Sequence, residues 1–387
     1  MVDWSSVQPQ IQDYVESQKD VHQKMNEERA CFLDIMKSDA SIDWTQLKAK
    51  GLEQYPILLP DFIGDDPAFK KTVNAQPEPA VICTTDGSQI FPSSHEISSA
   101  ALINISRIRI DYSNLDREPL LESRATLLLP DAPYEIEEIE ITDYFNFREF
   151  VSTERTQEEL EHLYELVETE IASQANAVLG VVDGSLVQWG LLESNETQSA
   201  SKTYKQYALD RYVEALKKFQ EKNTPVAGYI SGSGSREVIK WFQLAANMPD
   251  AEIKNRSCPY LTDVMLFRHH LKEGQRSTVF HSNWLKDEYD CGVSYFFLHV
   301  GSEVARIELP RWAAEHGNVV DFVAEQCYQQ ARLGGGYPVL LSEAHEQAVV
   351  RGPDRAVFYA LIENAMMEAG LPPRLSNKEM LKRNPVT

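Results

Sequence analysis

Two stretches of this 387-residue sequence share a pattern that could do chemistry. Ile82-Cys83-Thr84-Thr85-Asp86-Gly87-Ser88 and Gly180-Val181-Val182-Asp183-Gly184-Ser185-Leu186 each run an apolar, strand-like segment into Asp-Gly-Ser. A buried strand delivers the aspartate that follows it to a sheet edge, and the glycine permits a sharp turn there. Asp-Gly is also an ordinary turn dipeptide, so either copy alone reads first as a turn. Two copies after buried strands strengthen the case for paired carboxylates on a rigid scaffold. Between them lies a glutamate-rich helical segment, Leu160 to Ile171, with an apolar stripe at 160, 163, 164, 167 and 171. Glu168 and Glu170 flank that stripe on opposite sides, and Glu165 lies nearer the solvent face. A glutamate that works with the aspartates must face the sheet, so Glu168 is preferred and Glu165 is the alternative. Most of the other glutamates read as a solvated acidic face.

Carboxylates converging from strand, helix and strand suit phosphodiester hydrolysis. That reaction needs charge neutralisation on phosphate and an activated water. Two divalent ions about 3.5–4 Å apart provide both, and hard oxygen ligands hold them. His345 could orient a phosphate oxygen or protonate a leaving oxygen, although a lone histidine is more often a capping or core residue. Ser231-Gly232-Ser233-Gly234-Ser235-Arg236 follows a strand-like segment and precedes a helical one. It lacks the lysine of a nucleotide-binding loop and reads as a turn, with Arg236 the residue that would touch phosphate. His269 and His270 are adjacent, so they point apart on a helix and make a poor metal site.

The elements that must position these residues alternate in type. Strand patterns fall at Ala80–Thr84, Ala101–Ile110, Arg124–Leu129, Tyr134–Ile141, Ala177–Val182, Val226–Ile230, Val293–Val300 and Val304–Leu309. Pro130 to Pro133 would connect two of them as a hairpin. Helical patterns fall at Thr156–Ala175, Tyr204–Lys222, Ser235–Ala246, Val319–Arg332 and Pro353–Ala369. Strands mixed with helices, with hairpins early, predict an α/β fold built on a mixed sheet. Residues 1–55 read as a polar helical N-terminal arm for packing or oligomerisation, followed by a proline-marked linker at Pro56, Pro60 and Pro67.

Composition bounds the function. Hydrophobic residues make up 43% and charged residues 25%, a globular mixture. No apolar run is long enough to span a bilayer, and Met1-Val2-Asp3-Trp4 does not open a signal peptide. Five scattered cysteines without a CxxC pair argue against structural zinc and disulfides, so the expected compartment is the cytoplasm. The net charge of −22 opposes generic binding to a polyanion. A nucleic-acid enzyme would need bound cations, a local basic surface or a partner to overcome it.

Asp, Glu and Asp on strand, helix and strand resemble the arrangement of RNase H-like nucleases. The two Asp-Gly-Ser segments and the late Gly336-Tyr337-Pro338-Val339-Leu340-Leu341-Ser342-Glu343-Ala344-His345 together resemble the NurA family of DNA end-processing nucleases. Leu261-Thr262-Asp263-Val264, Gly274-Gln275-Arg276-Ser277 and the closing Leu375-Ser376-Asn377-Lys378 add to the likeness, which spans roughly residues 78 to 385. The resemblance implies an RNase H-like mixed sheet flanked by helices, preceded by the helical arm. It implies that Asp86, Glu168, Asp183, Asp263 and His345 serve catalysis and hold metal, with Tyr337 a neighbouring catalytic residue. It further implies two Mn²⁺ ions, with Mg²⁺ as the alternative metal. A homodimer and a hexameric HerA-type ATPase partner belong to the same picture. The implied activity is a 5′-to-3′ exonuclease on single- and double-stranded DNA ends, with single-strand endonuclease activity, in double-strand break repair. The residues leave two other classes open: a glycoside hydrolase built on paired carboxylates, or a non-catalytic module with an acidic binding face. Metal dependence separates the first from the hydrolase, and the paucity of aromatics of a sugar cleft argues against the latter.

Overall fold

The structure is a computed structural model and describes residues 3–38, 42–92, 100–129, 144–173, 177–192, 199–254, 261–282 and 292–371. In chain order its elements begin with α1 (Trp4–Lys37), α2 (Trp44–Gln54), β1 (Asp61–Phe62) and β2 (Lys70–Thr72). Next come β3 (Val81–Ile90), β4 (Ala101–Asp111), β5 (Leu120–Leu128), α3 (Tyr144–Ala172), β6 (Val178–Asp183), α4 (Trp189–Leu192) and α5 (Ser199–Glu221). Then follow β7 (Val226–Ile230), α6 (Ile239–Ala245), α7 (Asp250–Lys254), α8 (Asp263–His270), β8 (Gln275–Ser277) and β9 (Phe280–His281). The chain closes with β10 (Val293–His299), β11 (Val304–Pro310), α9 (Arg311–Ala314), α10 (Gly317–Leu333), α11 (Val339–Ala348) and α12 (Gly352–Glu368). The expected strand at Tyr134–Ile141, its hairpin at Pro130–Pro133, and the segment from Leu375 lie outside the described residues.

The chain forms two compact units. Residues 78–227 and 339–387 make one, and residues 1–77 and 228–338 make the other. In the first, the strands run in the order β7-β6-β3-β4-β5, with β7 entering through Val226 and Ala227. Strands β3, β4 and β5 are an antiparallel meander, and β6 then inserts parallel to β3 on its other side. Three antiparallel strands, a helix, and a fourth strand parallel to the first make the RNase H-like topology. Strand β3 is apolar on both faces at its start because Val81, Ile82 and Cys83 are covered on both sides. Helix α3 packs its Phe147, Phe150 and Val151 on Ala101, Ile103 and Ile105 of β4. Helix α12 closes the other end of the meander, with Phe358 against Ile90 and Ala100.

In the second unit, β1, β9, β10, β11 and the end of β7 form antiparallel pairs. Its core gathers Trp241, Phe242, Phe267, Phe280 and Phe297 with Phe32 of α1. Phe267 stacks on Phe297 with ring centroids 4.6 Å apart. No helix of the described residues is long and apolar enough to cross a membrane.

Candidate active site

Asp86 sits within β3, four residues before its end, where the sequence pattern places it at a strand terminus. The following glycine is therefore not a turn glycine. A Cβ on Gly87 would lie 2.5 Å from Glu159 Oε1, 2.8 Å from Arg155 Cγ and 2.9 Å from Ile105 Cδ1. The residue is glycine because helix α3 brings a glutamate and an arginine down onto the strand there. In the second motif the turn reading holds: Asp183 ends β6, and Gly184 adopts φ +108° in open space.

Glu159 is the α3 carboxylate that packs on Gly87, next to Asp86. Burial pushes its carboxyl up to about 7. The Arg155 guanidinium and the Gly87 backbone draw it back, while the charges of Asp86 and Asp183 add to the rise. Its Oε1 is buried without a hydrogen-bond partner and lies 3.3 Å from Arg155 Nη1. Arg155 also donates to the Gly87 carbonyl at 2.9 Å, and Thr85 Oγ1 donates to the Glu159 carbonyl at 2.7 Å. These bonds tie the helix to the strand at the level of Asp86.

His345 comes from α11. Its Nδ1 is 3.0 Å from Asp86 Oδ2, and its ring is largely exposed. The serine of the first motif sets that helix in place. Ser88 Oγ donates to the Ala348 carbonyl at 2.5 Å, Asn104 Nδ2 donates to the same oxygen at 2.8 Å, and the Val350 N–H donates to Ser88 Oγ at 3.1 Å. Ser88 and Asn104 therefore act as positioning residues for the C-terminal end of the helix that carries His345. The backbone of Asp86 is itself fixed by Ser106, whose Oγ accepts its N–H at 3.1 Å. Beside Arg155 a polar recess of about 240 Å³ opens, lined by Ser152, Thr153, Thr156 and Gln188 among others.

Glu168 and Glu165 do not share the face of α3 that carries Glu159. Glu168 lies on α3 nine residues beyond Glu159, and at 100° per residue that is the opposite side of the helix. It is exposed, accepts from Tyr164 Oη at 3.0 Å and pairs with Lys222 at 3.0 Å. Glu168 thus lies on the face of α3 opposite Glu159. Glu165, the alternative, is held by Arg107 and Arg124 at 3.4 Å each. Glu170 is buried and clasped by both Arg117 nitrogens. Asp263 is fully buried and accepts from Ser235 Oγ at 2.8 Å and from the Glu237 and Ile239 N–H groups at 2.9 Å each. With its oxygens taken by three donors it organises the approach to α6. Arg236 is spent in the same way, with Nε donating to the Leu261 carbonyl. Tyr337 lies edge-on to Tyr229 with ring centroids 5.5 Å apart.

Among the described residues no three His, Cys, Asp or Glu side chains converge into a ready metal cage. The donor types nevertheless suit hard divalent ions: carboxylates from two parallel strands and one helix, one of them buried, and an imidazole beside Asp86.

No match is found among curated proteins. Among solved structures, the NurA nuclease from Sulfolobus solfataricus is similar in fold, at 12% identity and a TM-score of 0.50 over 92% of this chain and 98% of that one. A structure of NurA with manganese aligns at 10% identity and a TM-score of 0.42 over 89% of this chain and 98% of that one. Residues 80–350, from the strand that carries Asp86 through the helix that carries His345, match the NurA domain, and the chain belongs to the NurA family of nucleases.

Proposed function

We propose that this chain is a metal-dependent deoxyribonuclease whose site is Asp86, Glu159, Asp183 and His345. The observation that carries the reading is Glu159: a buried carboxylate raised to about 7 among two further acids, with Arg155 as its ion-pair partner, is a costly arrangement. Arg155 offsets part of that cost, and a divalent cation held between the three acids would offset the rest. Asp86, Glu159 and Asp183 would hold divalent ions, Mn²⁺ or Mg²⁺ by donor type. When bound, such ions neutralise the scissile phosphate and supply an activated water.

The chain's own residues supply the rest. Near neutral pH Glu159 shares a proton between its ionised and neutral forms, so it can take up or release one where water is consumed. Asp86 orients the His345 ring through Nδ1, which leaves Nε2 to face a phosphate oxygen or the leaving 3′ oxygen. Hydroxyl and amide groups around the recess beside Arg155 suit the sugar-phosphate backbone, which positions a strand without reading its sequence.

The finer reading is a 5′-to-3′ exonuclease on DNA ends, working as a homodimer with a HerA-type ATPase in double-strand break repair. The net charge of −22 favours dependence on a motor that holds and advances the strand. Calorimetric titration of Mn²⁺ into the wild type and the Glu159→Gln variant tests the core of the proposal. Saturable binding that the variant weakens supports it, and equal binding by both refutes it. Digestion of duplexes labelled at either end, with and without the ATPase, tests polarity and partnership.

A further inference from the structure

Arg155 stands one helical turn before Glu159 on α3 and pairs with it loosely. Its nearest nitrogen, Nη1, lies 3.3 Å from Glu159 Oε1, and no hydrogen bond forms between them. Other arginines of the same unit hold glutamates of α3 with two nitrogens each. Arg211 donates through Nε and Nη2 to Glu161 at 2.7 Å, and Arg117 donates through Nη1 and Nη2 to Glu170. The order along the helix is also the weaker one, since an acid one turn before a base pairs better than the reverse. Arg155 Nη1 directs its hydrogen bond to the Gly87 carbonyl instead, and Nη2 hydrogen-bonds to none of the described residues. The stem of the side chain is fixed, because its Cγ packs closely on Gly87. Only the guanidinium head is free to change partners.

We infer that Arg155 is an exchangeable counter-cation: it stands in for a divalent ion at Glu159 in metal-free protein, and turns to a DNA backbone phosphate once such an ion holds Glu159. The inference rests on the proposed nuclease reading and names the residue that meets the strand there. A cation that clasped Glu159 with two bonds would compete with a divalent ion and keep it out. One that pairs loosely covers the acid and then yields, because two cations at this range repel each other. The recess that Arg155 lines offers the head its second partner. Ser152, Thr153 and Thr156 bring hydroxyls to it, and the acid in its wall, Glu149, is paired with Lys205 at 3.3 Å. A guanidinium with hydroxyls beside it is a donor set that holds phosphate oxygens. At about 240 Å³ the recess has room for a phosphate with part of its sugar. In a chain of net charge −22, a cation released at the edge of the acid cluster meets the strand where repulsion would otherwise be strongest.

The test uses the full-length protein and reads the two partners separately. Arg155→Met keeps the stem and removes the charge, Arg155→Gln is a second neutral variant, and Arg155→Lys keeps the charge. In calorimetric titration with Mn²⁺ at pH 8.5, the neutral variants are expected to bind at least about tenfold more tightly than the wild type, because the competing charge is gone. Arg155→Lys should bind as the wild type does. Urea unfolding gives a readout independent of cleavage: the neutral variants should be less stable than the wild type in EDTA, and Mn²⁺ should close the gap. Single-turnover cleavage in saturating Mn²⁺ reads the second partner. The neutral variants should need about tenfold more DNA for half-saturation, with a salt dependence weaker by about one counterion. Equal or weaker Mn²⁺ binding by the neutral variants overturns the exchange and leaves Arg155 as a support for Glu159. Unchanged half-saturation and salt dependence overturn the phosphate contact. Failure of the nuclease reading looks different: the wild type itself would take up no Mn²⁺ or cleave no DNA.

Discussion

His345 Nδ1 stands 3.0 Å from Asp86 Oδ2 across 259 positions of sequence. The contact joins a mid-strand carboxylate to a helix that Ser88 and Asn104 fasten by its Ala348 carbonyl. Asp86 therefore fixes the imidazole's orientation, and on the proposed reading it would also hold metal, a pairing common around metal sites. His345→Ala is expected to lower single-turnover cleavage about 10- to 100-fold, the range typical of such supporting groups. The unfolding midpoint should hardly move, because the ring is mostly exposed. An unchanged rate would reduce His345 to a surface residue.

Glu159 and Glu168 give the sharpest contrast on one helix. Glu159→Gln should reduce cleavage at least roughly 100-fold, on the scale of removing one preorganised charge-stabilising group. Glu168→Gln should stay within about twofold, since it loses only an exposed pair with Lys222, of a kind that contributes little. The reverse order would restore the reading based on the helix's apolar stripe.

That stripe shows where the sequence was legible and where it was not. Most strand and helix positions could be read directly, because apolar runs and turn residues mark them locally, whereas His345 was singled out by the family resemblance. The helical glutamate could not, because Glu159 and Glu168 flank the stripe on opposite sides and periodicity alone does not say which flank meets the strands. A usable signal was present. Only Ser173 to Ala177 separate α3 from β6, so the helix's last turn must lie near the first residue of that strand. Asp183 lies about 16 Å along the strand at 3.3 Å per residue. Returning that distance at 1.5 Å per residue takes about eleven residues and reaches the neighbourhood of 161, close to Glu159 and far from Glu168. The surroundings of Asp263 were not legible for another reason: its hydrogen bonds come from residues about 26 positions earlier, and nothing local in the sequence marks them.

Gly87→Ala tests the close approach of helix to strand. The added methyl would meet Glu159 Oε1 at 2.5 Å and Arg155 Cγ at 2.8 Å, with Ile105 behind. Overpacking of this kind costs about 1–3 kcal/mol, and displacement of Glu159 should lower cleavage as well. Denaturant unfolding together with a cleavage assay reads both effects. A variant with native stability and rate would mean that the helix yields freely there.

Glu159 also predicts how stability depends on pH in metal-free protein. Its carboxyl is raised to about 7 in the fold, mainly by burial, against 4.5 as its ordinary value. The contribution that favours the folded state is therefore complete below about 4.5 and is lost as pH rises through about 7. Glu159→Gln carries no such loss. In EDTA its stability relative to wild type should improve between pH 5 and pH 8, by on the order of 2–3 kcal/mol. Urea unfolding at pH 5, 6.5 and 8 measures it, and a difference that is flat or falls with pH contradicts the burial of an ionisable group at this position.

The central claim is that the acids around Asp86 hold divalent ions that cleave DNA. Its most direct test is cleavage of end-labelled linear DNA by purified protein in Mn²⁺, Mg²⁺ or excess EDTA, with the Asp86→Ala and Asp183→Ala variants in parallel. Cleavage in Mn²⁺ at least equal to that in Mg²⁺, none in EDTA, and none by either variant is the predicted result. Undiminished cleavage in EDTA, or a near-native rate from either variant in Mn²⁺, would contradict it.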